Sequence, residues 1–160
     1  MDEKEMIEHI IGGVSRKEGF LKYQGYRLFF TNKRLIFAKM TKEMRKQEQK
    51  EMLDGLKGKG FKARLGAVMT GHKALYDKYQ NVEPDIILNE HPGSFFIDRA
   101  MLKKVKQPGV TRYDDHGQQI NKNIVLKTVQ DKHVLKINDV HETDRAYQAL
   151  KQYVNENKHL

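Results

Sequence analysis

The stretch "GYRLFFTNKRLIFAK" (25–39) constrains this chain more than any other, because it is too apolar for one buried face to account for it. Apolar residues flank a polar centre at Thr31, Asn32 and Lys33, the composition of two short strands joined by a tight turn. With Asn32 and Lys33 as the turn residues, Asn32 taking the positive φ such turns require, Phe30 pairs with Leu35, Phe29 with Ile36 and Leu28 with Phe37. Alternation then places Tyr26, Leu28, Phe30, Leu35 and Phe37 on one face. Phe29, Ile36 and Ala38 share the other with Arg27, Thr31 and Arg34. The first face is core. The second sets two large apolar residues in a polar frame, so it is either covered by another part of the chain or presented as a docking patch.

More strands are expected in the second half. "SFFID" (94–98) and "MLKKVKQ" (101–107) alternate in part, and "NIVLKTVQDKHVLKIND" (123–139) reads as two strands about a turn near Gln130–Lys132. Between them "QPGVTRYDDHGQQ" has the composition of a loop or an irregular hairpin. The chain then offers a helix beginning near Thr143, whose Ala146, Tyr147, Leu150, Tyr153 and Val154 form one apolar stripe. With 160 residues, a single domain can bury a core of ordinary size.

Strands, further strands and one closing helix form an order that resembles the pleckstrin-homology-like (PH-like) superfold. "GYRLFFTNKRLIF" is similar to the early hairpin of its GRAM and bacterial PH-like branches. In those branches a strand ending in Thr, a short turn and an Arg-Leu-aliphatic-aromatic strand recur, and Thr31, Asn32, Lys33, Arg34, Leu35, Ile36 and Phe37 fill these places. "FFIDRAMLKKVK" resembles the later strand pair, so the likeness spans residues 7–38 and 94–156. It implies an α+β fold, a mainly antiparallel PH-like β-barrel with a C-terminal capping helix. The implied role is that of a binding or scaffolding module without catalysis, acting on a partner protein or by self-association. The runner-up is a peripheral adaptor on anionic membrane lipid. The lipid signature of the superfold is incomplete: Arg16, Lys17, Lys22 and Arg27 lie near the first two strands without the Lys/Arg-x-Arg ending, so specific phosphoinositide recognition is not implied.

The departure from that pattern is a helical insertion, residues 39–84, within the single domain 1–160. Residues 39–80 carry eleven basic against five acidic residues, so most of the net charge of +9 lies there. "KMTKEMRKQEQKEM" reads as a solvated helix, "GLKGKG" (55–60) as a hinge, and 61–80 as a helix with Phe61, Leu65, Val68, Met69, His72, Leu75, Tyr76 and Tyr79 on one face. That face is the nearest surface able to cover Phe29 and Ile36. The alternative is that it lies on a membrane or partner. Candidate lipid- or partner-binding residues are Lys22, Arg27, Lys33, Arg34, Lys57, Lys59, Lys62 and Arg64.

Catalytic signals are thin. "GKGFKA" lacks the preceding strand of a dinucleotide loop, and "GAVMTGHK" puts His72 where a phosphate loop needs lysine. Asp114, Asp115 and His116 are adjacent in one loop, which seldom lets metal ligands converge. No cofactor and no metal are expected. Without cysteine there is neither a disulfide framework nor a thiolate site. No signal peptide or run of about 18 apolar residues is present, so the expected place is the cytoplasm, peripheral wherever a membrane is met. The basic balance suits anionic partners. Nucleic acid is the weakest of these, because the insertion is basic but the aromatic stacking motifs of RNA-recognition strands are missing.

Overall fold

The computed structural model describes residues 3–55, 71–107, 112–113, 115–117, 119–120, 123–139 and 142–157. The opening hairpin forms in the expected register. Strand β2 (Lys22–Thr31) pairs with β3 (Arg34–Lys39), matching Phe30 to Leu35, Phe29 to Ile36 and Leu28 to Phe37. The turn differs from expectation, because Asn32 does not have a positive φ. The hydroxyl of Thr31 organises it instead, accepting the backbone N–H groups of Lys33 (3.1 Å) and Arg34 (2.9 Å). Asn32 is left free to act at longer range. Its side-chain oxygen accepts the N–H of Met6 and its amide donates to the carbonyl of Lys4, tying the N-terminal segment to the turn.

Strand β1 (Ile7–Gly19) lies beside β2, and β4 (Phe95–Asp98) beside β3. A 3-10 turn, Arg99–Met101, leads into β5 (Leu102–Lys106). After the small hairpin β6 (Arg112–Tyr113) and β7 (Gln119–Ile120), strands β8 (Ile124–Thr128) and β9 (Lys132–Ile137) complete the main sheet. The order is β4-β3-β2-β1-β9-β8-β5, antiparallel throughout.

The sheet is not closed into a barrel, which corrects the expectation of one. Its end strands β4 and β5 do not pair. The Arg99–Met101 corner separates them, held by the Arg99 N–H to the carbonyl of Lys33 (2.9 Å) and the Val129 N–H to that of Met101 (3.0 Å). Beyond the corner β5 hydrogen-bonds β8 instead. Long β1 accommodates the curvature through a bulge at Gly12 and Gly13. A Cβ on Gly13 would stand 2.9 Å from the Asn138 amide nitrogen, so a side chain there would push β1 off the segment that follows β9.

Both faces of the hairpin are buried, each by a different helical element. On the inner face Leu28, Phe30, Leu35 and Phe37 join Val14, Ile124, Leu126 and Leu135 beneath helix α4 (Thr143–Asn157). Ala146, Leu150, Tyr153 and Val154 are the buried stripe of that helix, as the spacing predicts. The outer face carries Phe29, Ile36 and Ala38, all 0% exposed, with Ile7 and Ile10. Among the described residues three helices intervene between β3 and β4: α1 (Lys42–Gly55), α2 (Gly71–Tyr79) and α3 (Pro84–Glu90). The cover comes from this insertion, through Leu75 and Tyr79 of α2, Ile87 and Leu88 of α3, and Val82 between them. Phe61, Leu65, Val68, Met69 and the 55–60 hinge fall wholly or largely outside the described residues. The helical part also runs past the expected boundary at 84, because Pro84 starts a further helix in a position where its missing N–H costs nothing.

Candidate functional site

The β1–β2 hairpin outruns its neighbours. β1 meets β9 only from Val14 to Arg16, and β2 meets β3 only from Tyr26 onward, so residues 17–23 pair with each other alone and project from the sheet. Its tip turns through Phe20 and Leu21, between the paired Gly19 and Lys22. These two are the most exposed large apolar side chains among the described residues, at 90% and 82%. Leu21 has φ +56°, a left-handed conformation that a branched side chain adopts at a cost on the order of 1–3 kcal/mol. An apolar, strained turn is the reverse of what stability alone selects, where Gly, Asn or Asp would serve.

The base of this hairpin is fixed by a polar network. Arg16 pairs with Glu18 (2.6 Å) and donates through Nε to Nδ1 of His133 on β9 (2.8 Å), while the Tyr26 hydroxyl donates to Glu18 (2.8 Å). The Arg16 guanidinium also lies 5.0 Å from the centre of the Phe95 ring, which stacks on Phe37 at 4.6 Å. Because Nδ1 of His133 accepts, its proton sits on Nε2, facing Asp131 at 3.1 Å. Burial, then the adjacent Arg16 charge, lower the His133 pKa and keep the ring neutral. Burial and the bond to Glu18 push the Tyr26 hydroxyl up to about 12. Burial would raise Glu18, but the hydrogen bonds from Arg16 and Tyr26 outweigh it and lower its pKa. The network thus holds β1, β2, β4 and β9 together where the hairpin leaves the sheet.

Around the tip stand Lys17, Lys22 and Lys136, all exposed and without an ion-pair partner among the described residues. Lys136 reaches over the half-exposed ring of Tyr23 at 5.6 Å. Glu18 is the acidic side chain of the tip, and its charge is taken by Arg16. The result is a small apolar prow with a cationic rim.

Of the residues singled out by sequence, Lys22 belongs to this tip, and Lys33 is exposed at the opposite end of β2. Arg27 and Arg34 are engaged in holding the insertion. Arg27, 6% exposed, forms two hydrogen bonds of 2.8 Å with Glu48 of α1. Arg34 bridges Glu5 (2.8 Å) and Asp85 of α3 (2.5 Å) while its guanidinium covers Phe96 at 4.6 Å. For both arginines burial would lower the pKa, but the carboxylate bonds outweigh it and raise the value. Lys57, Lys59, Lys62, Arg64 and Asp114 lie outside the described residues, and Asp115 and His116 are exposed. Among the described residues no three His, Asp or Glu side chains gather as metal ligands. The sequence reading passed over Phe20 and Leu21. The available signal was "KEGFLKY", an apolar pair at a turn between lysines.

No protein-family profile matches the chain. No curated protein matches it either. Among solved structures, the crystal structure of the C-terminal domain of an unknown protein from Leishmania infantum is similar, with a TM-score of 0.47 and 14% identity, covering 91% of this chain and 81% of that one.

Proposed function

We propose that the chain is a non-enzymatic binding module of PH-like type that docks reversibly on an anionic membrane surface through the β1–β2 tip. The sheet order β4-β3-β2-β1-β9-β8-β5, with β1 as the shared strand and a C-terminal helix on the inner face, supports the PH-like reading. The observation that carries the function is the exposed Phe20–Leu21 pair inside its rim of lysines. No helix among the described residues is long and apolar enough to cross a membrane.

The energetics suit a reversible contact. Burying a Phe and a Leu in the acyl boundary contributes about 3–5 kcal/mol, and three lysines near an anionic surface add about 1 kcal/mol each. Their sum, about 6–8 kcal/mol, corresponds to dissociation constants of roughly 1–40 μM, before the cost of immobilising the protein. The apolar part persists in salt while the lysine part is screened.

The test is co-sedimentation with vesicles of phosphatidylserine and phosphatidylcholine beside vesicles of phosphatidylcholine alone. Wild type pellets with the anionic vesicles at low salt, and the Phe20→Ser, Leu21→Ser double variant stays in the supernatant with an unchanged melting temperature. Equal sedimentation of the variant, or none by wild type, refutes the membrane reading and turns attention to a protein partner for the same tip.

A further inference from the structure

Alternation along β5, β8 and β9 sends Leu102, Val105, Leu126 and Leu135 into the core beneath α4, and so turns Lys104, Lys106, Lys127, Lys132 and Lys136 to the opposite side. With Lys103 at the β5 bulge, these strands carry six lysines and no acidic residue. The register sets three of them in one row: Lys104 stands opposite Lys127, and Lys127 opposite Lys132. Like charges directly opposite each other across strands destabilise a sheet. None of the six has an ion-pair partner among the described residues, so no carboxylate there relieves the repulsion. The adjoining acid, Asp131 in the β8–β9 turn, accepts the Thr128 hydroxyl at 2.7 Å and faces His133 at 3.1 Å.

The composition of this face narrows its partner. Protein interfaces are poor in lysine at their centres and rich in aromatic residues and arginine, whereas the outward side chains here include neither. The outward valines, Val125 and Val134, are half-buried, so the face has little apolar surface to insert into a bilayer. A phosphate backbone needs no such surface, because its binding is driven by release of the counterions condensed on the nucleic acid. The expectation against nucleic acid rested on missing stacking aromatics, which splayed single-stranded bases use and the backbone of a double helix does not.

We propose that the outer face of β5, β8 and β9 binds the phosphate backbone of double-helical nucleic acid without regard to sequence. Lys104, Lys127 and Lys132 form the centre of the contact, and Lys106 and Lys136 flank it. Their ammonium groups act as point charges on phosphates, and no arginine fork stands among them to read a guanine edge. The proposal is independent of the membrane reading, since Phe20 and Leu21 take no part in it.

The experiment is fluorescence anisotropy of the whole chain with short labelled duplexes of DNA and of RNA, each in two unrelated sequences, over a range of salt concentrations. The expected result is equal affinity for the two sequences and a linear fall of log K with log salt, with a slope of about −0.9 for each phosphate neutralised on DNA. The triple variant Lys104→Gln, Lys127→Gln, Lys132→Gln should weaken binding about tenfold or more at low salt and reduce the slope by up to about 3, whereas Lys151→Gln, exposed on α4, changes neither. The triple variant should melt no lower than wild type, because it removes opposed like charges. Lys132→Gln alone, reducing the slope by about 1, gives the same readout should the triple variant misfold. Tighter binding of one duplex type assigns the source as DNA or RNA. Absence of binding to both at low salt, or a slope that neither variant reduces, overturns the proposal. Tighter binding of polyglutamate than of either duplex at equal salt also overturns it and gives the face to an acidic protein.

Discussion

Replacing Ile87 by Ala tests whether the insertion is part of the folded core or a device held loosely beside it. Ile87 is 0% exposed in the outer cluster with Phe29, Ile36 and Tyr79, whereas Ile86 next to it on the same helix is 43% exposed. Truncating a buried Ile to Ala costs about 2–5 kcal/mol, the lower part of that range applying where neighbours can close in. The short helix α3 can close in, so the expected loss is about 2–3 kcal/mol. For a chain of this size, that lowers the melting temperature by roughly 5–10 °C. Ile86→Ala should remain within about 0.5 kcal/mol of wild type. A double-mutant cycle on Phe29 and Tyr79, whose rings meet edge to face at 5.1 Å and 74°, should return about 0.5–1.5 kcal/mol of coupling. Urea and thermal melts provide every value needed. If Ile86→Ala and Ile87→Ala behave alike and the cycle returns no coupling, α2 and α3 do not cover the hairpin and the docking argument is wrong.

Arg27→Gln breaks a pair whose Glu48 side chain retains 34% exposure and can rehydrate, so the loss in a urea melt should be about 2 kcal/mol, below the 3–5 kcal/mol of a fully enclosed pair; a loss under about 0.5 kcal/mol would refute the clamp. Tyr153→Phe strands the carbonyl of Thr31, which its hydroxyl reaches at 2.5 Å, and should cost about 1–2 kcal/mol with the fold retained, measured the same way. The pKa of His133 is lowered by burial and by Arg16, with Asp131, Glu18, Phe37 and Phe95 also facing the ring, so the unfolded chain binds its proton more readily than the folded one. Its contribution is therefore complete above the unfolded value of about 6.5 and is lost as pH falls below it, whereas Glu18 and Glu48, with lowered pKa values, lose theirs only at more acid pH. Chemical melts of wild type and His133→Gln across about pH 7.5 to 5 should show a slope in the first that is absent in the second; parallel curves would exclude the histidine as its source.

The hairpin was legible because strict alternation with large residues on both faces leaves a single register that buries both sets. What covered the outer face was legible only in part. Leu75 and Tyr79 follow helical spacing, but "PDIILNE" is too short to show a period and declares itself only through Pro84. The turn was misread because Asn32 was given the role that the hydroxyl of Thr31 fills, while Asn32 serves residues 4 and 6, a partnership that local sequence does not display. Barrel closure depends on whether two strands separated by a corner finally pair, and no property of β4 or β5 alone determines that. Phe20 and Leu21 were hidden for the opposite reason. Two apolar residues between strand-like segments read as continued strand, and only their exposure shows that they turn outward.

Arginine and lysine divide the positive charge of this chain between two tasks with different responses to salt. The arginines at the outer face are partly enclosed and hydrogen-bonded, Arg27 to the insertion through Glu48 and Arg34 to Asp85, so screening by ions reaches them weakly. Each clamp also consumes a carboxylate that would otherwise offset a lysine. The excess charge is therefore left on exposed side chains, among them Lys17, Lys22 and Lys136 at the tip and Lys42 and Arg45 on α1. Those are screened within about 8 Å at physiological ionic strength. Moderate salt should accordingly release an anionic partner while the insertion stays docked. Loss of binding with salt and an unchanged melting temperature are thus two readings of one separation, and a melting temperature that fell in step with binding would show the clamps and the rim to be a single electrostatic system.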